Sequence, residues 1–284
     1  MKGLLAQADE IPVTLVIALA YATLAILTDP FQPPTDKLDR YGWLMPTLAA
    51  DGEAWRMLSC AFLHGGIVHL AFNFMMLLGL GPALERSLGS VRFALLYVVS
   101  SLGASIAVCL LYHPWQPVIG GSGALFGMMG ALVALNMRSG RHLFSFLDFE
   151  GPRRVIGMIV VNLLIGLLFP FVSNTAHVAG LVTGFAFTFL WLAPPREPST
   201  SLRQWRAATG ALFLSLLFAS IAPVARFDWL HRQAKAADPA MQAALHRAAA
   251  MAFQDLPAVN DEVAAAIAQF LDKEFADFER ERGH

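Results

Sequence analysis

Residues 120–137 read GGSGALFGMMGALVALNM, a run without a charged residue that opens on two glycines and stops at Arg138. A stretch of this length and composition suits a helix embedded in a bilayer better than one on a soluble surface. Comparable runs lie near 11–29, 67–84, 92–112, 155–172, 175–193 and 207–223, each bounded by charge, Pro or Gly. With 121–137 they make seven expected spans. The whole chain agrees: of 284 residues 56% are apolar and 14% charged, against about 25% charged in an ordinary soluble domain. That balance excludes a soluble enzyme and points to an all-α polytopic membrane protein. Twenty basic against 21 acidic residues give a net charge of -1, so no global field draws the chain to nucleic acid. Two cysteines, Cys60 and Cys109, are too few for a disulfide framework and lack the paired spacing of a structural zinc site.

The first run is read as a membrane helix and not a signal peptide, because Asp9 and Glu10 stand where a positive segment should precede it. Orientation follows from basic residues in the short connections. Arg86 and Arg92 lie between spans two and three, Arg138, Arg141, Arg153 and Arg154 between four and five, and Arg196, Arg203 and Arg206 before span seven. The opposite connections, near 113–120 and 173–174, have no Lys or Arg. The expectation is a cytoplasmic N-terminus, with the 30–66 loop and the tail on the outer face. An Arg-poor N-terminus makes a bacterial plasma membrane the simplest host. Four segments are expected: a six-helix core over 1–193, a cytoplasmic linker over 194–206, a seventh helix over 207–223, and an extracytoplasmic tail over 224–284 with two amphipathic helices. The tail is read as an element that recruits substrate, regulates access or binds an unknown partner.

Ionisable and polar groups are costly in lipid, so those the spans retain point to chemistry. Three strings hold them: HGGIVHLAFN with His64, His69 and Asn73, IGGSGALFG with Ser122, and NTAHVAGLVTG with His177. The topology above puts all three toward the outer face. Ser122, flanked by Gly121 and Gly123, opens a helix whose unsatisfied N–H groups and dipole face a developing oxyanion. A serine needs a base within about 3 Å, and the His177 imidazole suits that role. Gly123 and Gly127 in one span, and Ala176, Gly180 and Gly184 in another, allow the two helices to pack closely. Phe126, one turn after Ser122, is placed to stack on the imidazole. Spans four to six contain no Asp or Glu, so a Ser/His dyad without a third acid is the arrangement the sequence permits. His69 and Asn73, four apart on one helical face, are candidate oxyanion donors, and His64 adds polarity to a water-accessible hollow. A zinc reading of His64, His69 and Cys60 is set aside: positions five apart, about 500° of helical rotation, share a face imperfectly, and no HExxH string accompanies them.

Together these strings resemble the rhomboid family of intramembrane serine proteases. In that family a Gly-x-Ser-Gly serine on the fourth helix works with a histidine on the sixth, matching Ser122 and His177. His64, His69, Phe72 and Asn73 resemble its second-helix pattern, which implies oxyanion donors. Trp55-Arg56 resembles the family's Trp-Arg pair, read here as an anchor of the loop at the interface, and Glu85 with Gly89 its Glu-x-x-x-Gly stretch. The resemblance covers roughly 10–193 and leaves out the seventh span and the tail. It implies an endopeptidase that cuts transmembrane segments of other membrane proteins, with substrate entering sideways from the lipid bilayer past helix five and the segment from Phe169 to Asn174. No metal or organic cofactor is implied. A relative that binds membrane clients without cutting them is the alternative, which loss of Ser or His would signal; both are present.

Overall fold

The computed structural model describes residues 8–50, 52–111, 117–138, 152–168, 172–192 and 200–221. The tail beyond 221 and the expected basic loop over 139–151 lie outside the described residues, as do 169–171 of the segment read as a gate. Ten α-helices follow in order among the described residues: α1 (Pro12–Thr28), α2 (Thr35–Arg40), α3 (Pro46–Ala50), α4 (Arg56–Ser59), α5 (Ile67–Leu88), α6 (Ser90–Leu111), α7 (Ser122–Arg138), α8 (Pro152–Leu168), α9 (Asn174–Phe187) and α10 (Thr200–Ile221). A 3-10 turn over Cys60–Phe62 and a π-turn over Thr188–Leu192 complete them. A helix lies over each expected apolar run. By length and composition α5, α6 and the segment Asn174–Leu192 suffice to cross a membrane, while α1 and residues Ile156–Leu167 are apolar but shorter.

Large apolar side chains are exposed and several polar ones are buried beside an apolar core. Val16, Leu19 and Ile26 on α1, Val68, Phe72 and Met75 on α5, and Val178 and Val182 on α9 are exposed. Thr14, Asn73, Glu85, Ser100, Ser101, Ser105, His177 and Thr188 are buried. Lipid takes the place of water around such a bundle, and its backbone polar groups must find partners inside it.

Two boundaries differ from the sequence reading. Helix α5 continues to Leu88, past the expected end at 84, because Glu85 is turned inward to cap α1. Its carboxylate accepts from the Val13 N–H (2.9 Å), the Thr14 N–H (2.8 Å) and the Thr14 hydroxyl (2.7 Å), satisfying donors left open at a helix start. Gly89, at φ 82°, then ends the helix. At the other end of the chain α10 begins at Thr200, inside the stretch read as a linker. Hydropathy breaks at Arg203 and Arg206, but the helix runs through both; the Arg206 Nε–H donates to the Leu190 carbonyl (2.6 Å) and its guanidinium faces the Trp191 ring.

The 30–66 loop is a folded layer. Arg56, buried, pairs with Glu53 and with Asp39 (3.1 Å), and donates to the Asp39 and Trp43 carbonyls (2.8 and 3.3 Å). Its guanidinium also lies 4.9 Å from the Trp55 ring centroid. Leu44 and Val118 exchange backbone hydrogen bonds (2.9 and 2.8 Å), joining this layer to the segment that leads into α7.

Candidate active site

Ser122 is the first residue of α7, and His177 lies in the first turn of α9. Both helix starts are locally determined. Gly120, at φ 119°, turns the chain into α7 while its N–H donates to the Cys60 carbonyl (2.9 Å). Ser173 caps α9, its Oγ accepting from the Ala176 N–H (3.1 Å). The glycines then set the interhelical distance. A Cβ on Gly180 would run into the Gly123 carbonyl, and one on Gly184 into the Gly127 carbonyl. Backbones this close are possible only for glycine, and they bring the two helix starts side by side.

The result is a contact of 2.8 Å between Ser122 Oγ and His177 Nε2. For the serine hydroxyl to donate, the imidazole must carry its proton on Nδ1. Nδ1 is buried and has no hydrogen-bond partner among the described residues, so no carboxylate orients the ring there. The Phe126 ring does so by stacking, at a centroid distance of 4.2 Å and an interplanar angle of 9°. The floor is a cluster that the sequence reading did not find. Tyr21 and Tyr97 hydroxyls lie 2.8 Å apart, and the Tyr97 hydroxyl donates to the Ala61 carbonyl (3.2 Å). Gly121 lies against this pair, where a Cβ would collide with the Tyr21 hydroxyl. A buried tyrosine in an apolar run gives no pattern that separates it from core packing.

The three second-span residues are placed differently. His69 lies beside the dyad: a Cβ on Gly120 would meet its Nε2 at 2.7 Å and Ser122 Oγ at 3.8 Å. The Gly65 N–H donates to His69 Nδ1 (3.3 Å), which leaves Nε2 as the protonated nitrogen. Asn73 is buried, but its Nδ2 donates to the His69 carbonyl (2.8 Å) one turn back in its own helix, and its Oδ1 has no partner among the described residues. His64 is buried with its ring edge-on to Tyr21 (4.6 Å) and His69 (5.2 Å). Cys60, of the discarded zinc set, rests against Ser105 Oγ and the Met57 carbonyl, each 3.7 Å from its sulfur.

All-helical among the described residues, with large apolar side chains exposed and several polar ones buried, the chain is a multi-pass membrane protein. Residues 51–194 match the Rhomboid domain, and the chain belongs to the rhomboid family. It is 37% identical over 169 residues to RHOMBOID-like protein 5 of Arabidopsis thaliana, covering 58% of this chain and 52% of that one. To rhomboid protease GluP of Bacillus subtilis (strain 168) it is 40% identical over 153 residues, covering 53% and 29%. RHOMBOID-like protein 6, mitochondrial, of Arabidopsis thaliana is 35% identical over 170 residues, covering 58% and 53%. The chain thus spans about half the length of the two plant relatives and less of the bacterial one. Its relatives come from a plant as well as a bacterium, so membership of the family does not single out a bacterial plasma membrane.

Proposed function

We propose that the chain is a serine endopeptidase that cleaves transmembrane segments of other membrane proteins with a Ser122/His177 dyad. The Ser122 Oγ attacks the scissile carbonyl carbon as His177 Nε2 takes its proton. The tetrahedral intermediate collapses with that proton passing to the leaving amine, and a water, deprotonated by the same imidazole, releases the acyl group. In this reading the Ser122 N–H and the His69 Nε2–H are the donors that stabilise the oxyanion. Asn73 joins them if the side chain turns from the His69 carbonyl when substrate binds. The observation that carries this reading is the 2.8 Å contact between Ser122 Oγ and His177 Nε2 at the start of a helix. The protease name of the GluP relative supports it at the level of the family.

A fluorophosphonate, which modifies an activated serine, tests it directly. Wild type becomes labelled, Ser122→Ala does not, and His177→Ala loses both labelling and cleavage while the helices stay folded. A folded wild type that resists labelling would refute the dyad and leave the reading of a non-proteolytic protein that binds membrane clients.

A further inference from the structure

The serine is set by a backbone platform, and α10 lies behind that platform. Three hydrogen bonds hold residues 118–120 to the 30–66 loop: the reciprocal pair between Leu44 and Val118, and the Gly120 N–H to the Cys60 carbonyl (2.9 Å). The loop residues that make these bonds, Leu44 and Cys60, belong with Ala49 and Met57 to one buried apolar cluster. Phe213, Leu217 and Ile221 of α10 pack against that cluster. They recur at i, i+4 and i+8, a single helical stripe. Ser220, on the same stripe, gives its hydrogen to the Leu217 carbonyl (2.7 Å) and rests 4.0 Å from Met57 Sδ. From the other side Ser105 of α6 fixes Met57 by donating to its carbonyl (2.6 Å). On the remaining face of α10, Leu212, Leu214 and Phe218 are exposed among the described residues.

We infer that α10 is a positioning element for the nucleophile: its Phe213/Leu217/Ser220 face packs on the cluster that holds Met57 and Cys60, touching Met57 through Ser220, and that cluster through the Cys60 carbonyl fixes Gly120 and the entry of Ser122 into α7. The inference rests on the dyad reading above. Interior packing transmits a displacement instead of absorbing it, and a nucleophile misplaced by a fraction of an ångström loses rate while the binding surfaces for substrate stay as they were.

The test compares two double substitutions in the full-length protein, Phe213→Ala with Leu217→Ala on the packed face, and Leu212→Ala with Leu214→Ala on the exposed face. Fluorophosphonate labelling of Ser122 is followed at a temperature where both variants are folded by circular dichroism. The packed-face variant should label about tenfold more slowly, with kcat for a transmembrane substrate reduced in proportion and KM unchanged. The exposed-face variant should match wild type, and Leu217→Met alone should retain most of the rate. Should the packed-face pair unfold, Ser220→Leu, which presses a longer side chain onto Met57, should give the same kcat loss. Packed-face variants that are folded and label at the wild-type rate would overturn the inference. An unlabelled wild type would instead remove the dyad reading beneath it, so the two failures are distinguishable.

Discussion

His177 reaches Ser122 with one ring nitrogen and leaves the other buried without a hydrogen-bond partner among the described residues. A carboxylate at Nδ1 would fix both tautomer and angle, and in its place the ring is held by its flat contact with Phe126. An aromatic pair of this kind is worth about 0.5–1.5 kcal/mol beyond its area, so orientation and not stability is what it controls. Phe126→Leu should keep the bundle intact, since the swap is apolar and near in volume. It should slow labelling of Ser122 by about three- to tenfold, the factor that energy corresponds to. Measuring the labelling rate against the melting temperature separates the two effects. Gly121 is the stricter position. A methyl group there meets the Tyr21 hydroxyl and lies 3.0 Å from the Ala61 carbonyl. Gly121→Ala should cost about 1–3 kcal/mol of stability by overpacking and abolish labelling at temperatures where the helices persist. Tyr21→Phe in the same chain should recover part of both losses.

At the scale of elements, the Glu85 carboxylate caps the start of α1 and, with the Tyr21–Tyr97 hydroxyl pair, ties that helix to the bundle in polar terms. Glu85→Gln replaces one accepting oxygen with an amide that donates, leaving a buried N–H of Val13 or Thr14 opposed by another donor. The expected loss is about 1–3 kcal/mol, read as a lowered thermal midpoint in detergent, with Ser122 labelling unchanged well below it. The sequence made Glu85 visible as part of a spacing, and the segment 11–29 visible as a helix, but not the bond between them. A residue 71 or 72 positions away leaves no periodic trace. What was legible follows the same logic. Apolar runs located the helices because lipid demands continuous hydrophobicity. Glycine spacing located the α7–α9 approach because only the absence of a Cβ permits it, and that approach in turn brings Ser122 to His177. The tyrosine floor, the Arg56 network and the Leu44–Val118 pairing escaped, since each joins distant residues through groups ordinary in their local context. The helical start at Thr200 escaped for a related reason: hydropathy registers the apolar run from 207, whereas the helix begins in the polar stretch before it.

At the scale of the molecule, the site and the 30–66 loop share one end of the bundle. The Gly120 N–H bonds the loop at Cys60, while Arg138, at the far end of α7, donates to the Phe189 carbonyl (3.2 Å from Nε) and lies over the Phe189 ring in the π-turn that follows α9. Whichever side of the membrane faces the loop therefore faces the dyad, and the positive-inside rule applied to the arginines near 86, 138 and 206 makes the outer side the expectation to test. Impermeant maleimide decides the matter with little background, because both native cysteines are buried and burial pushes the Cys60 thiol up to about 12, far from the reactive thiolate. Phe31 is 77% exposed in the loop, and Ser87 is exposed in the last turn of α5. In intact cells Phe31→Cys should label at once and Ser87→Cys only after permeabilisation. The reverse pattern would turn the dyad toward the cytoplasm, so that the water for hydrolysis would enter from within the cell.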